Sequence, residues 1–330
     1  MNPVVAKLFD RARSPHGVLG LGGAPFGNFG VAMDDEQAGR TLRRAWDGGV
    51  RYFDTAPHYG LGLSERRIGA ELRRRPRADF VVSTKVGRLI VPRRPPLDRD
   101  DDGFLVPGDL GRRWDFTAAG VERSLEQSLD RLGLDLVDIL FAHDPDQAWP
   151  GAAREALAAL ARLKAAGLVA AVGIGTNATA GLAGLIRAGV VDVIMLANRY
   201  SLLDQDALES VLTPAAEHGV AVVAAGVFAT GLLSTAQPDP RATYEYRPAG
   251  AAVVGRARRI AAICADHGVA LPAAALAFPL LHPAVAAVAV GMRSEQEVDE
   301  DLRQFAADLP AGLWPDLVAA GLIPAAAVTP

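Results

Sequence analysis

Residues 136–176 read LVDILFAHDPDQAWPGAAREALAALARLKAAGLVAAVGIGT, and three segments of different character lie within them. Positions 136–143 form a short apolar run ending in His143, 151–166 repeat alanine and leucine at helical spacing and stop at Gly167, and 169–174 form a second apolar run. A buried strand, an amphipathic helix and another buried strand in that order make one βαβ unit of a parallel sheet. The alternation continues in both directions. Further strands are expected at 18–22, 51–54, 80–85, 191–196, 220–224 and 285–290, eight in all, with further helices near 35–48, 64–74, 117–132, 178–188, 205–218, 250–267 and 294–307. Ser64 and Thr117 read as helix N-caps, and Gly167, Gly189 and Gly219 fall just past last turns. Eight strands each followed by a helix predict an α/β chain folded as a (β/α)8 TIM barrel, with its working face built by the loops after the strands.

The 330 residues suit one such barrel, so residues 1–330 are expected to form a single domain. Half of them are hydrophobic and 22% are charged, enough to bury a large core and incompatible with a disordered chain. Lys plus Arg total 34 against 38 Asp plus Glu, a formal charge of −4 that lacks the basic footprint needed to bind a phosphate backbone. Nucleic acid is therefore not an expected partner. The lone cysteine, Cys264, cannot form an internal disulfide, and the opening MNPVVAKLFDRAR is too briefly apolar for a signal peptide, so a cytoplasmic setting is expected. The uncharged run 269–292 is long enough to span a membrane, but Pro272, Pro279, His282 and Pro283 argue against that and no membrane partner is expected. Two insertions interrupt the pattern, at 86–116 and 234–248. Each reads either as a lid or substrate wall or as a solvated, partly disordered loop.

If the active face lies at the strand ends, it carries Asp54, Lys85, His143, Thr176 with Asn177, residues 198–200, residues 226–228 and Gly291. The densest part is Asp54-Thr-Ala-Pro-His-Tyr59-Gly, followed by Lys85 and His143 at the ends of the next two strands. A phenol titrates near 10, so Tyr59 becomes a useful acid or base at neutral pH only if a neighbouring ammonium favours phenolate. Lys85 supplies that charge, Asp54 holds the lysine, and His143 can hydrogen-bond the substrate oxygen on which charge develops. Two other readings compete. Gly173-Ile-Gly-Thr-Asn-Ala178 satisfies a permissive dinucleotide-loop pattern, but no acidic residue ends the following strand. His58, His143, Asp144 and Asp146 suggest a metal-dependent hydrolase, although a catalytic zinc site usually wants three well-spaced ligands; no metal is expected.

With these residues in place the sequence resembles the aldo-keto reductase family along nearly its whole length. The resemblance rests on Gly20-Leu-Gly-Gly, FDTAPHYG with SERRIGAEL, Ser-Thr-Lys85, SLDRLGLDLVDILFAHDPD, GIGTN, Gly231-Leu-Leu and VGMRSEQEVDED. The TKVGR, HDPD and NRYSLLDQ motifs look most like the bacterial aldose 1-dehydrogenase branch, which holds L-fucose and D-threo-aldose dehydrogenases and pyridoxal 4-dehydrogenase-like enzymes. The resemblance implies that Tyr59 donates and accepts the proton, Lys85 and Asp54 tune it, and His143 binds the substrate oxygen. It puts Thr176 and Asn177 on the nicotinamide carboxamide, a loop containing Gly226, Phe228, Gly231 and Leu232 over the pyrophosphate, and Gly291, Arg293, Ser294, Glu297 and Asp301 on the adenosine half. Gly23 is expected beside the cofactor, and Phe26, His58 and Trp114 beside the substrate.

Two positions depart from the family pattern. Many members carry a nicotinamide-stacking tyrosine after the seventh strand where this chain has Ala225-Gly226-Val227, and the last motif usually ends in Asn rather than Asp301. Glu297, where NADP-preferring members place an arginine, implies a preference for NAD, with Arg293 leaving NADP possible. The expected activity is oxidation of an aldose at C1 by a monomer or small homo-oligomer acting on a small sugar or aldehyde. Pyridoxal 4-dehydrogenase or general aldehyde reductase is the alternative within the family, and a cofactor-binding sensor or partner subunit the alternative outside it.

Overall fold

The computed structural model describes residues 2–11, 18–245 and 247–328. In chain order the elements are α1 (Pro3–Arg11), β1 (Leu19–Gly22), α2 (Asp35–Asp47), β2 (Tyr52–Asp54), α3 (Leu63–Leu72), β3 (Val81–Val86), β4 (Arg88–Leu97), β5 (Gly108–Trp114), α4 (Ala118–Leu132), β6 (Ile139–His143), α5 (Ala152–Ala165), β7 (Ala171–Thr176), α6 (Leu182–Arg187), β8 (Val193–Ala197), α7 (Thr213–Glu217), β9 (Ala221–Ala225), β10 (Thr243–Tyr244), β11 (Arg247–Pro248), α8 (Ala251–Asp266), α9 (Leu271–Ala277), β12 (Val285–Val290), α10 (Glu295–Phe305) and α11 (Leu313–Ala319). Strands β1, β2, β3, β6, β7, β8, β9 and β12 pair in parallel and close a barrel, β12 returning to β1. All eight expected strands are present and the expected (β/α)8 barrel is the fold.

Strand parity positions everything else. Alternate residues of each barrel strand face inward or toward the helices. Tyr52, Val81, Ile139, Phe141, Ala171, Val193, Met195, Ala221 and Val223 share one buried apolar cluster inside the barrel, while Phe53, Val82, Leu140, Val172, Ile194 and Val222 join the larger cluster under the helices. Two aspartates mark where strands start. The Asp138 carboxylate accepts the Val82 N–H at 2.8 Å and the Asp192 carboxylate accepts the Val172 N–H at 3.1 Å, so β6 and β8 begin just after them. Tyr52 fits inside because β1 offers it Gly20, where a Cβ would lie 2.3 Å from the ring.

Helix α1 is not among the elements expected from the sequence. It packs Val5, Leu8 and Phe9 into the interior cluster, with Phe9 edge-on to Tyr52 at 5.2 Å. Asn2 secures it twice over: its side-chain oxygen accepts the Val4 N–H at 2.9 Å and its amide donates to Asp192 at 2.8 Å.

Other expectations need correction. Ser64 is not an N-cap: α3 starts after Gly62 (φ +85°), and the buried Ser64 hydroxyl instead donates to the Gly23 carbonyl at 2.7 Å. Thr117 does cap α4, accepting the Gly120 N–H at 3.1 Å. The helix expected at 178–188 shortens to α6, entered through Gly181 (φ +80°), and the one at 205–218 divides into a π-helical turn, Leu208–Leu212, and α7. Insertion 86–116 is an ordered antiparallel hairpin, β4 with β5, running from Arg88 opposite Trp114 to Leu97 opposite Gly108. Insertion 234–248 folds into the small β10–β11 ribbon, and Tyr246 between its strands lies outside the described residues. The run 269–292 is divided among α9, a 3-10 turn and β12, and no single helix among the described residues is long and apolar enough to cross a membrane.

Gly173, part of the apparent dinucleotide loop, has a packing reason to be glycine. Inside β7 its Cβ would fall 1.6 Å from the Val193 carbonyl oxygen on β8. Gly173→Ala is therefore expected to force these strands apart and destabilise the fold by about 1–3 kcal/mol, read as a lower urea midpoint; an unchanged midpoint would contradict the close approach.

Candidate active site

The inward parity of β2, β3 and β6 aims Asp54, Lys85 and His143 into the barrel at its C-terminal end, two or four residues beyond Tyr52, Val81 and Ile139. Lys85, 2% exposed, donates through Nζ to Asp54 Oδ2 at 2.6 Å, the Thr55 carbonyl at 3.0 Å and Tyr59 Oη at 3.1 Å. All three ammonium donors are thereby used. Asp54 Oδ1 accepts from the Ser83 hydroxyl at 2.7 Å, and Tyr52 Oη lies 3.0 Å from Ser83 Oγ, so the carboxylate is anchored from beneath. Ser83, Thr55 and Tyr52 were not singled out in the sequence, yet parity finds two of them: Ser83 is two residues before Lys85 and Tyr52 two before Asp54.

Tyr59 sits on a tight loop after β2, where its N–H donates to the Ala56 carbonyl at 3.1 Å and its carbonyl accepts the Ser64 N–H at 3.2 Å. The loop packs backbone to backbone on residue 27: a Cβ on Gly60 would meet the Gly27 carbonyl oxygen at 2.3 Å. The ring is partly exposed, 5.9 Å from His143 and 6.0 Å from His58, while the two imidazoles are 5.3 Å apart. Phe104, at the far end of the hairpin, closes the cluster 5.2 Å from His58 and 6.1 Å from Tyr59.

The electrostatics fix which groups carry protons. Burial pushes the Asp54 carboxyl up and the Lys85 ammonium down, but their mutual attraction, aided by Tyr59, leaves Lys85 above its ordinary value and cationic. Burial and the Asp54 charge hold the Tyr52 phenol well above 10, so it stays a donor. Burial, reinforced by Arg88 and other nearby cations, lowers His58 to about 2 and His143 well below 6.5. Both are neutral imidazoles at physiological pH. Arg88, from the first position of β4, donates to Asp144 Oδ2 at 2.6 Å and approaches His58 Nδ1 at 3.3 Å, and Asp144 is raised by burial to about 6. Sequence reasoning missed Arg88, Arg112 and Phe104 because nothing in a charge-dense insertion announces a hairpin folded back on the mouth.

The residues expected around a cofactor lie along the ends of β7, β9 and β12. The Thr176 hydroxyl donates to Asp146 at 2.7 Å and accepts the Ala178 N–H at 2.9 Å. Asn177 follows it, with its backbone carbonyl accepting from Arg199 at 2.9 Å. The loop after β9 has positive φ at Gly226, Ala229, Thr230 and Gly231, and the Thr230 hydroxyl is buried without a partner. Non-glycine residues held there store strain of the kind found at ligand clamps. Leu232 is buried and Phe228 half-buried on that loop. Beyond β12, Gly291 is exposed, Ser294 caps α10 by accepting the Glu297 N–H at 3.1 Å, and Glu297 accepts the Arg293 N–H at 2.7 Å, while Arg293 Nε is buried and unpartnered. A strained loop with an orphaned hydroxyl and a capped helix start with an orphaned guanidinium nitrogen fit a dinucleotide with a diphosphate and an adenosine end.

Some expectations change. Phe26 is wholly buried in the outer apolar shell and offers no face to a substrate, because its 3-10 turn, Ala24–Gly27, points it under the helices. Gly23 is buried too, with its carbonyl taken by Ser64. Trp114 is partly exposed beneath Arg88 and stacked on Phe116. Asp301, expected only to accept when ionised, is raised to about 7 by burial and Glu297, so near neutrality it also donates. Tyr200 does not replace the stacking tyrosine absent at Ala225: it is buried against Phe278 and His282. His58, His143, Asp144 and Asp146 do not converge as metal ligands, since Arg88 engages His58 and Asp144 and Thr176 engages Asp146.

A buried Lys85–Asp54 pair beside Tyr59 at the C-terminal mouth of a parallel barrel is the arrangement of an enzyme that moves a proton at a substrate oxygen. The chain belongs to the aldo/keto reductase family, whose model matches residues 18–320. It is 47% identical over 311 residues to D-threo-aldose 1-dehydrogenase of Pseudomonas sp, covering 93% of this chain and 94% of that one. Pyridoxal 4-dehydrogenase of Microbacterium luteolum is 35% identical over 92% of this chain and 94% of its own. Among solved structures, the holo aldo-keto reductase of Bacillus halodurans is similar with a TM-score of 0.69 at 25% identity, covering 92% of this chain and 91% of the other.

The neutral state of both histidines is directly measurable. The imidazole resonances of His58 and His143 are expected not to titrate between pH 5 and 8; a midpoint inside that window for either would contradict the electrostatic picture.

Proposed function

We propose that the protein oxidises an aldose of the D-threo or L-fuco type at C1, giving the lactone, with NAD as the preferred acceptor and the barrel acting as one unit. The observation that carries the chemistry is the Lys85 ammonium, fixed by Asp54 at 2.6 Å and lying 3.1 Å from Tyr59 Oη. The similarity over nearly the full chain to D-threo-aldose 1-dehydrogenase supports the substrate class. When bound, the nicotinamide takes the hydride that leaves C1. Tyr59, as phenolate stabilised by Lys85, takes the proton of the C1 hydroxyl, and neutral His143 donates a hydrogen bond to the same oxygen. Asn177 holds the carboxamide end; Thr176, its hydroxyl already donated to Asp146, contributes orientation of that turn. The loop from Gly226 to Leu232 covers the diphosphate, and Arg293, Ser294, Glu297 and Asp301 receive the adenosine half. The single buried Cys264 goes with a cytoplasmic setting.

NAD preference rests on Glu297. Its carboxylate is tied to the Arg293 N–H at the start of α10, a fixed negative charge that repels a 2′-phosphate and accepts hydrogen bonds from ribose hydroxyls. Arg293, part-exposed beside it, is the residue that leaves NADP possible.

Three measurements test this reading. Tyr59→Phe is expected to lower turnover by about 10²- to 10⁴-fold while cofactor titration by fluorescence stays near wild type; retained turnover removes Tyr59 from the mechanism. Oxidation should accelerate toward alkaline pH, since it needs the deprotonated phenol, and Lys85→Met should displace the rising limb upward because the cation favouring phenolate is gone. An unmoved profile counts against the pair. Glu297→Arg should shift the ratio of kcat/KM for NAD and NADP toward NADP, and an original enzyme that favours NADP tenfold, about 1.4 kcal/mol, would overturn the Glu297 argument.

A further inference from the structure

The hairpin that fills insertion 86–116 begins with a cation aimed at the mouth. Arg88 follows Gly87, where a Cβ would strike the Phe116 ring at 1.9 Å, so the chain turns sharply off β3 and the side chain is delivered beside the reacting groups only three residues past Lys85. It is 9% exposed, and its guanidinium lies 4.4 Å over the Trp114 ring. Nη2 donates to Asp144 Oδ2 at 2.6 Å and reaches Gln147 Oε1 at 3.4 Å, Nη1 lies 3.3 Å from His58 Nδ1, and Nε is buried without a partner. His58, which this cation approaches, lies 5.3 Å from the His143 ring and 6.0 Å from the Tyr59 ring, and Asp144 Oδ2, which it binds, is 3.6 Å from His143 Nε2.

We propose that Arg88 with Asp144 is the subsite that grips a hydroxyl on the carbons next to the reacting centre, so that the site selects polyhydroxylated substrates over unsubstituted ones. This rests on the reading of Tyr59 and His143 as that centre. A hydroxyl is both donor and acceptor, and a guanidinium beside a carboxylate meets both needs with charge-assisted bonds. A substrate lacking the hydroxyl leaves the one unpartnered donor of Arg88, its Nε, without an acceptor and adds nothing to the Arg88–Asp144 pair, and a site built to hydrogen-bond a hydroxyl discriminates strongly against such an analogue. Anchoring the hairpin does not require Arg88. Arg112 already does so, donating to Asp100 at 2.5 Å and to the His58 carbonyl at 2.8 Å, and the β4–β5 pairing extends well beyond the mouth. Trp114 beneath the planar guanidinium holds it in register by a cation–π contact.

The test is a cycle between enzyme and substrate, using the full chain with NAD and L-fucose, its 2-deoxy and 3-deoxy analogues. Wild type is expected to prefer L-fucose to at least one deoxy analogue by roughly 10- to 100-fold in kcat/KM, the worth of a hydrogen bond to a charged group. In Arg88→Met that preference should collapse toward unity, with the loss on L-fucose appearing mainly in KM, and Arg88→Lys should recover part of it. Near-UV circular dichroism and NAD titration report folding; if Arg88→Met fails them, Asp144→Asn is measured by the same ratio, with the same collapse expected. An Arg88→Met or Asp144→Asn enzyme that keeps the wild-type preference between the sugars, whatever its absolute rate, overturns the proposal while leaving aldose oxidation standing. A wild-type enzyme that turns over none of these sugars overturns both.

Discussion

The buried ion pair between Lys85 and Asp54 is the constraint to which the mouth of the barrel is fitted. Two charges removed from water each carry a desolvation penalty of several kcal/mol, recovered only when geometry is good and every remaining hydrogen-bonding site is used. Here the ammonium has three acceptors and the carboxylate has Ser83 as well as Lys85, so both side chains are held by several bonds at once. Removing one partner of such a pair typically costs about 3–5 kcal/mol, so the pair is also a structural commitment. The third acceptor of the lysine is Tyr59, which makes the position of a loop hydroxyl depend on strands beneath it.

Around this pair the histidines play a complementary part. His143 and His58 share a face with three cations, and in that field an imidazolium is strongly disfavoured. The mouth therefore presents a fixed ammonium, two neutral imidazoles, a phenol and the Arg88–Asp144 pair, and on the proposed chemistry it is the phenol beside the ammonium that exchanges a proton with a substrate hydroxyl. Carboxylates at Asp144 and Asp100 offset the arginines of the hairpin, so the cations lower the histidines without leaving unbalanced buried charge.

The barrel was readable from periodicity because its strands are buried on both faces and appear as continuous apolar runs, with Asp138 and Asp192 blurring only their starts. The cluster of Asp54, Lys85 and His143 was readable because they are polar residues at the ends of otherwise apolar strands. The hairpin was not, since its prolines and alternating charges at 92–103 resemble a solvated loop and its pairing is set by contacts with the mouth rather than by apolar alternation. Phe26 was expected beside the substrate, but nothing in the sequence sets the inward or outward turn of the 3-10 segment that carries it. Glu297 was legible as a charge, but its tie to the Arg293 N–H needed the helix start in three dimensions.

Helix α1 packs Val5, Leu8 and Phe9 against the interior of the barrel beneath the catalytic end. The hydrogen-bonded column from Lys85 through Asp54 and Ser83 ends on the Tyr52 phenol, which holds its proton tightly and is sealed by the edge of Phe9. That column is a dead end for proton traffic. On the proposed chemistry, the proton collected at Tyr59 has to depart through the same mouth that admits sugar and dinucleotide, so solvent regains access to the phenol only as the mouth empties, and proton release is tied to the order in which the products leave.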